Sequence, residues 1–347
     1  MSSHLTFAYP GDIETRTGGY GYDRRVVASL RDLGWKVDLV SLGNAFPNSQ
    51  PEDIEAAGAL LSRLADNTLV LIDGLAFGMM DAWASGEAKR LKIMALVHHP
   101  LALETGLDDE QRTHLADREK AALSHVRGVI VTSHMTATEL AANYGVPSER
   151  IAVAMPGMDP GPLATGGNNP PLILSVGTLT RRKGHDVLIA ALARLRDLRW
   201  TCRIVGNKDL DPKVTDELER QITEADLTGR IELVGQIEDP RTEFAKADIF
   251  ALASRYEGYG MVFAEALAQG LPIVGCAAGA VPDVVPESAG ILVAPNDPGA
   301  FAEAIGTLLT EPEKRIAMAD AAAVAGARLP SWHDTAKIIS IFLKASS

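Results

Sequence analysis

The chain has 347 residues, 46% hydrophobic and 22% charged, which suggests two soluble domains with sizeable cores. Its formal net charge of −12 argues against nucleic acid as the main partner and against general adhesion to anionic membranes, so any phosphate site must be a local basic pocket. No 18-residue apolar run and no basic leader followed by an apolar stretch is present. The expectation is therefore a cytoplasmic protein in which Cys202 and Cys276 are buried free thiols.

In chain order, Leu5-Thr-Phe-Ala-Tyr9 reads as a strand, Gly18, Gly19 and Gly21 as a flexible loop, and Tyr22 to Leu33 as a helix ended by Gly34. Strands follow at 36–42, 68–73, 92–97 and 128–132, separated by helix-length sequence. This alternation implies parallel pairing in a doubly wound sheet. Pro156-Gly-Met-Asp-Pro-Gly-Pro162 and Thr165-Gly-Gly-Asn-Asn-Pro-Pro171 read as a linker. The pattern restarts with strands at 172–176, 200–205, 230–234, 249–252 and 271–274, and a helix from Val187 to Leu195. The resulting expectation is α/β: domains at 1–165 and 166–330 with a ligand cleft between them, and a last helix from Trp332 packing back on the first.

Several segments carry chemistry. Glu257-Gly-Tyr-Gly260 can present bare amides to the start of the helical run Val262-Phe-Ala-Glu-Ala-Leu-Ala268, a combination that attracts anions. Glu257 and Glu265 would repel phosphate and so suit hydroxyl groups; the alternative is two solvated glutamates. Gly177 and the consecutive cations Arg181, Arg182 and Lys183 follow the strand at 172–176, where they could bind a diphosphate or form a solvated basic turn. His98 and His99 end an apolar strand, where a histidine can donate to a sugar hydroxyl or phosphate or serve a structural purpose. Gly18-Gly-Tyr-Gly21 lacks a full GxGxxG, and Asp209-Leu-Asp211 reads better as a solvated turn than as a metal motif. No His, Cys and carboxylate set has convincing ligand spacing, so neither metal nor cofactor is expected.

Together these segments resemble the family 4 glycosyltransferases, whose GT-B fold has two facing Rossmann-like domains. The resemblance rests on Glu257 through Glu265, Val176-Gly-Thr-Leu-Thr-Arg-Arg-Lys-Gly184, Gly279-Ala-Val-Pro-Asp283, Val131-Thr-Ser-His134, Ile151 through Asp159, Gly290-Ile-Leu-Val-Ala-Pro295 and Trp332. It implies a nucleotide-sugar donor, expected to be UDP-linked, with Arg182 and Lys183 on the diphosphate. Glu257 would bind donor-sugar hydroxyls and Glu265 the ribose. The backbone of Tyr259, Gly260, Met261 and Val262 would contact sugar and phosphate, and Asn207 and Val234 would lie near the base. Gly18, Gly19 and His98, which matches the family's strand-end histidine better than His99, would complete the site. His98, Lys183 and Glu257 are the expected catalytic residues. Two departures stand out: Thr178 where many members have Arg, and Gly279-Ala280 with Asp283 in place of Gly-Gly and Glu.

The family is retaining, and with no evident nucleophile the expected course is front-face substitution, closure of the domains excluding water. The acceptor is open. Phe77 through Trp83 and Lys89 through Met94 could form a membrane-contact surface for a lipid such as diacylglycerol, or be ordinary core. A small sugar or a polysaccharide intermediate is the next acceptor class. A phosphorylase, a nucleotide-sugar epimerase and a non-catalytic nucleotide-sugar-binding regulator are the rival functions.

Overall fold

A computed structural model describes residues 3–159 and 161–346. Pro160, inside the expected linker, lies outside the described residues, as do the termini of the outer domain ranges. Two compact units result: residues 1–157 with 330–347, and residues 158–329.

The first unit runs β1 (His4–Tyr9), α1 (Gly18–Asp32), β2 (Lys36–Ser41), α2 (Pro51–Leu61), β3 (Leu69–Asp73), α3 (Gly74–Phe77), α4 (Asp81–Glu87), β4 (Lys92–Val97), α5 (Asp109–Leu123), β5 (Gly128–Val131), α6 (His134–Asn143) and β6 (Ile151–Val153). The strands form a six-stranded parallel sheet in the order β2-β1-β3-β4-β5-β6. β3 and β5 are buried at every position, as expected of strands covered on both faces, whereas the edge strand β2 is exposed at several. The sheet reverses direction between β1 and β3, so the loops after these strands border its switch point.

The second unit runs β7 (Leu172–Val176), α7 (His185–Ala193), β8 (Thr201–Val205), α8 (Pro212–Glu224), β9 (Ile231–Gly235), α9 (Arg241–Phe244), β10 (Ile249–Leu252), α10 (Met261–Ala268), β11 (Ile273–Cys276), α11 (Val281–Val284), β12 (Gly290–Val293), α12 (Pro298–Thr310) and α13 (Pro312–Gly326). Its six-stranded parallel sheet has the order β12-β11-β10-β7-β8-β9, with the reversal between β7 and β10. Cys202 and Cys276 are free and buried in it.

Two expectations need correction. The units divide at Gly157, before the expected boundary at 165, because the intervening chain is tied to the second unit. Ala164 N donates to Gln269 O at 2.7 Å, Thr165 N to Ala245 O at 3.0 Å, and Asn168 Nδ2 to Asp248 Oδ2 at 2.8 Å. Likewise, Gly18, Gly19 and Gly21 are not a loop but the opening of α1. Thr17 caps that helix, its Oγ1 accepting from Tyr20 N at 3.5 Å, and Gly21 N donates to Thr17 O at 2.9 Å. The low helix propensity of glycine conceals this start in the sequence.

The last helix, α14 (Trp332–Ala345), packs in the first unit. Trp35 Nε1 donates to Ser340 Oγ at 2.9 Å, and Thr335 Oγ1 to Met155 O at 2.7 Å. The Trp332 ring meets the edge of Tyr22 at 5.7 Å. A Cβ on Gly157 would fall 2.2 Å from Trp332 N, so backbone passes against backbone here. Gly157→Ala should therefore destabilise the first unit by about 1–3 kcal/mol, read as a lower urea midpoint with an unchanged slope.

Candidate active site

In the second unit the loops after β7 and β10, which flank the sheet reversal, are tied to one another. Arg181–Lys183 forms a 3-10 turn after β7. Arg255 N, after β10, donates to Arg182 O at 2.8 Å, and the Arg255 guanidinium grips Asp186 through two bonds of 2.9 and 2.7 Å. Gly184 makes this approach possible. Its φ is +66°, and a Cβ there would lie 1.9 Å from Ala253 O.

Glu257 sits at the centre. Its side chain is 6% exposed and accepts from Lys183 Nζ at 2.6 Å, from Ser254 Oγ at 2.6 Å and from Arg182 Nη1 at 3.4 Å. Burial alone would raise its pKa; Lys183, Arg182 and the hydrogen bonds outweigh burial and hold it below the ordinary carboxylate value. Arg182 also donates to Tyr256 O at 3.0 Å. Arg181, the third cation of the run, turns away to an exposed pair with Glu217 at 2.8 Å. The sequence assigns Arg182 and Lys183 to phosphate and Glu257 to sugar hydroxyls; the structure shows the three paired with one another.

The backbone around Glu257 is equally constrained. Gly279 has φ +57°, and a Cβ there would fall 2.1 Å from Glu257 O. The next residue, Ala280, is fully buried and donates its N–H to Glu257 O at 2.9 Å. The glycine that the geometry demands is thus present, and the substituted position is one at which a methyl group packs. Asp283 is exposed in the first turn of α11.

Gly260, with φ +90°, precedes α10 and brings its first residues, Met261 and Val262, out of the Glu257 loop. Tyr259 is buried, with its hydroxyl pKa raised to about 12 by burial. Glu265, on α10, has its carboxyl pushed up to about 7 by burial, with Asp239 adding and Arg241 and Lys183 opposing. Val234 lies in β9, and Asn207 Nδ2, in the loop after β8, donates to Gln236 Oε1 at 2.9 Å. Asp211 caps α8, its Oδ1 accepting from Val214 N at 3.2 Å.

In the first unit the polar residues again gather where the sheet reverses. His98 follows β4, and its Nε2 lies 3.1 Å from Asp23 Oδ1 and 3.4 Å from Asp73 Oδ2. Asp23 comes from α1 and Asp73 ends β3; both are buried. Gly18 and Gly19 open α1, and a Cβ on Gly19 would be 3.7 Å from the His98 ring. The Tyr22 ring meets that ring edge-on at 5.3 Å. His99 instead approaches Glu104, at 3.4 Å. Asp23 and Asp73 are the residues that sequence reasoning missed, since they lie far from His98 in the chain and only the topology joins them. Their carboxylate oxygens and the His98 nitrogen lie within 4.8 Å of one another, among the described residues the one grouping with spacing that a metal could use.

Of the two readings of the segments Phe77 through Trp83 and Lys89 through Met94, the structure agrees with ordinary core. Phe77, Met79, Met80, Ile93 and Met94 are buried, the Trp83 indole donates to Ser62 Oγ at 3.1 Å, and Arg118 binds Asp81. No described helix is long and apolar enough to cross a membrane.

Two doubly wound parallel sheets, each with its polar residues at the switch point, define the GT-B class. Sucrose-phosphate synthase from Thermosynechococcus elongatus superposes with a TM-score of 0.82 at 22% identity, covering 98% of both chains. The Anabaena HepE protein in complex with UDP-glucose superposes with a TM-score of 0.78 at 19% identity, covering 98% of this chain and 99% of that one. The family profile described as Glycosyltransferase Family 4 matches residues 19–161, and that described as Glycosyl transferases group 1 matches residues 165–324. Among curated relatives, D-inositol 3-phosphate glycosyltransferase of Xylanimonas cellulosilytica is 27% identical over 77% of this chain and 68% of its own length. Its counterpart in Thermobifida fusca is 26% identical over 90% and 85%. The chain belongs to the family 4 glycosyltransferases and is a transferase of glycosyl groups.

Glu257→Gln would leave Lys183 and Arg182 with a weaker partner in a site that excludes most water. The expected loss at neutral pH is roughly 3–5 kcal/mol in urea unfolding of the second unit. Because the Glu257 pKa is depressed, the wild-type advantage is complete above the ordinary carboxylate value of 4.5 and fades only as pH falls below it. An unfolding difference that stays constant down to acid pH would contradict the ion-pair account.

Proposed function

We propose that this protein transfers a hexosyl or uronosyl group, with retention, from a UDP-linked sugar to an acceptor hydroxyl, without a metal. The observation that carries the reading is the Glu257–Lys183–Arg182 cluster beside the amide end of α10 at the sheet reversal. An ammonium has three donors, so Lys183 can serve a diphosphate oxygen while Glu257 holds it in place. Arg182 and the α10 amides add to the charge that stabilises a departing nucleoside diphosphate. Glu265 accepts from ribose hydroxyls, Glu257 from the sugar, and Asn207 and Val234 border the base. His98 serves the reaction as an N–H donor.

Glu257 is committed to two cations and a serine, which argues against its serving as a nucleophile. In the front-face course the bond from the anomeric carbon to the diphosphate breaks with its electron pair leaving on phosphate. The acceptor oxygen bonds to the same face, and its proton passes to that phosphate. Lys183→Ala should lower kcat by about 10²–10³-fold. Near-normal turnover in that variant would discard charge stabilisation as the source of catalysis.

For the acceptor we infer a polar polyol rather than a lipid, since the apolar segment once available for membrane contact is buried. D-inositol 3-phosphate, named for the relatives, is the first compound to screen, followed by small sugars, polysaccharide intermediates and diacylglycerol. Cytoplasmic operation is part of this reading. Orthophosphate-dependent turnover, or epimer formation without acceptor, would move the function to a phosphorylase or an epimerase.

Thermal shifts with UDP, GDP, ADP and their sugar conjugates test the donor. A selective shift with the UDP series, weakened by Glu265→Ala, is expected. The pH dependence is a sharper check. An ionised carboxylate accepts hydrogen bonds more strongly than a protonated carboxyl, and Glu265 titrates at about 7. UDP affinity should therefore rise as pH increases through 7 in the wild type and lose that dependence in Glu265→Gln.

A further inference from the structure

The cluster around His98 contains more charge than a hydrogen-bonding histidine needs. One imidazole nitrogen, Nε2, faces two carboxylates, Asp23 Oδ1 at 3.1 Å and Asp73 Oδ2 at 3.4 Å. Asp23 is fully buried, and its other oxygen, Oδ2, has no hydrogen-bond partner among the described residues. Asp73 is anchored independently, because its Oδ1 accepts from Leu75 N at 2.7 Å and caps α3. The His98 backbone is held as well, its carbonyl accepting from Thr132 Oγ1 at 3.2 Å. A buried carboxylate with an unsatisfied oxygen must either hold a proton or sit beside a compensating positive charge, and His98 supplies that charge 3.1 Å away.

We propose that Asp23 and Asp73 are positioning residues that keep His98 as an imidazolium, so that it serves the transfer as a fixed cation and hydrogen-bond donor and never as a general base. This rests on the assignment of His98 to the reaction made above. The two carboxylates also fix the ring, since Nε2–H must point at them and only Nδ1–H remains to meet a substrate oxygen. A protonated imidazole has no lone pair to take the acceptor's proton, which leaves the departing phosphate as the base.

The electrostatics agree from every packed element. Burial by itself would lower the His98 pKa, but Asp23 from α1 and Asp73 from β3 overcome it and bring it to about 10. Burial raises Asp23 to about 6 against the pull of His98, with Asp73 adding to the rise. Tyr20 and Tyr22, also on α1, stay neutral, the first raised to about 12 and the second well above its ordinary value, in each case chiefly by burial. From α14 the neighbour of Tyr22 is the neutral Trp332, with Arg25 stacked over it at 5.8 Å. His99, on the same strand end, is turned to Glu104 at 3.4 Å.

The test follows the His98 ring by NMR in protein labelled at histidine, with wild type, Asp23→Asn and Asp73→Asn titrated from pH 5 to pH 10.5. No substrate is needed, so the result stands even if the proposed transfer reaction is wrong. In the wild type His98 should remain protonated past pH 8. Each substitution should lower its pKa to about 7.5 or below, towards the ordinary 6.5. In turnover assays, whichever donor proves active, the variants should approach wild-type kcat near pH 6 and fall at least tenfold behind by pH 8.5. A merely structural defect would lower activity equally at all pH values. If Asp23→Asn does not fold, Asp73→Asn carries the test alone, since asparagine can still cap α3. Titration of wild-type His98 near 6.5, a pH-independent loss of activity, or stoichiometric capture of added Zn²⁺ by this cluster with gain of turnover would overturn the proposal.

Discussion

The buried carboxylate of Glu257 is the constraint on which the second unit's site depends. A carboxylate taken out of water must be paired. Its partners, Lys183 and Arg182, come from a different strand end, so the two loops cannot be placed independently. Around this pairing the chain makes close backbone contacts that side chains would forbid. Gly184 passes Ala253 O and Gly279 passes the carbonyl of Glu257 itself, each at a positive φ. Arg255 completes the arrangement by clamping Asp186 at the start of α7. The cluster is therefore an organised support for cations, and Lys183 and Arg182 are held before any ligand arrives. Such preorganisation is what allows charges to stabilise a leaving group without reorganising during the reaction.

The same geometric reason brings chemistry together in both units. Where a parallel sheet reverses direction, the loops after two neighbouring strands diverge to opposite faces and leave strand ends uncovered. In the second unit this occurs between β7 and β10, which carry the 181–183 turn and the Glu257 loop. In the first it occurs between β1 and β3, and α1 and the end of β3 contribute Asp23 and Asp73. Strand order brings each grouping together, and in the second unit Gly184 and Gly279 permit the close backbone approach it needs.

The strand-helix alternation was legible in the sequence because buried parallel strands are short continuous apolar runs and the turns between them are rich in glycine and proline. The pattern from Glu257 through Glu265 was legible because its residues lie near one another in sequence. The partners brought in by topology were not. Asp23 sits inside an amphipathic helix and looks like one of its polar positions, and Ser254 and Arg255 look like loop filler until the β7 turn is laid beside them. Gly18 and Gly19 suggested a loop because propensity opposes helix there, yet Thr17 caps the turn and the helix begins anyway. The Phe77–Trp83 segment left core and contact surface both open, since periodicity in so short a run does not distinguish them, and the structure buries Phe77, Met79 and Met80.

Glu257 and Glu265 show how one protein obtains two carboxylates of different character. Glu257 is surrounded by donors and cations, which keep it ionised and committed to holding Lys183 and Arg182. At Glu265 burial, reinforced by Asp239, outweighs the opposing pull of Arg241 and Lys183, so its proton is retained to near neutrality. Environments that push paired acids apart assign them separate tasks. A permanently ionised acid suits the organisation of charge, while an acid poised near neutrality gains most from a ligand that supplies hydrogen-bond donors, because those donors offset the cost of burying its charge. A diol is such a ligand, whereas a phosphate would add repulsion to an already unfavourable anion. The electrostatics of the second unit thus separate the groups suited to hydroxyls from those suited to phosphate.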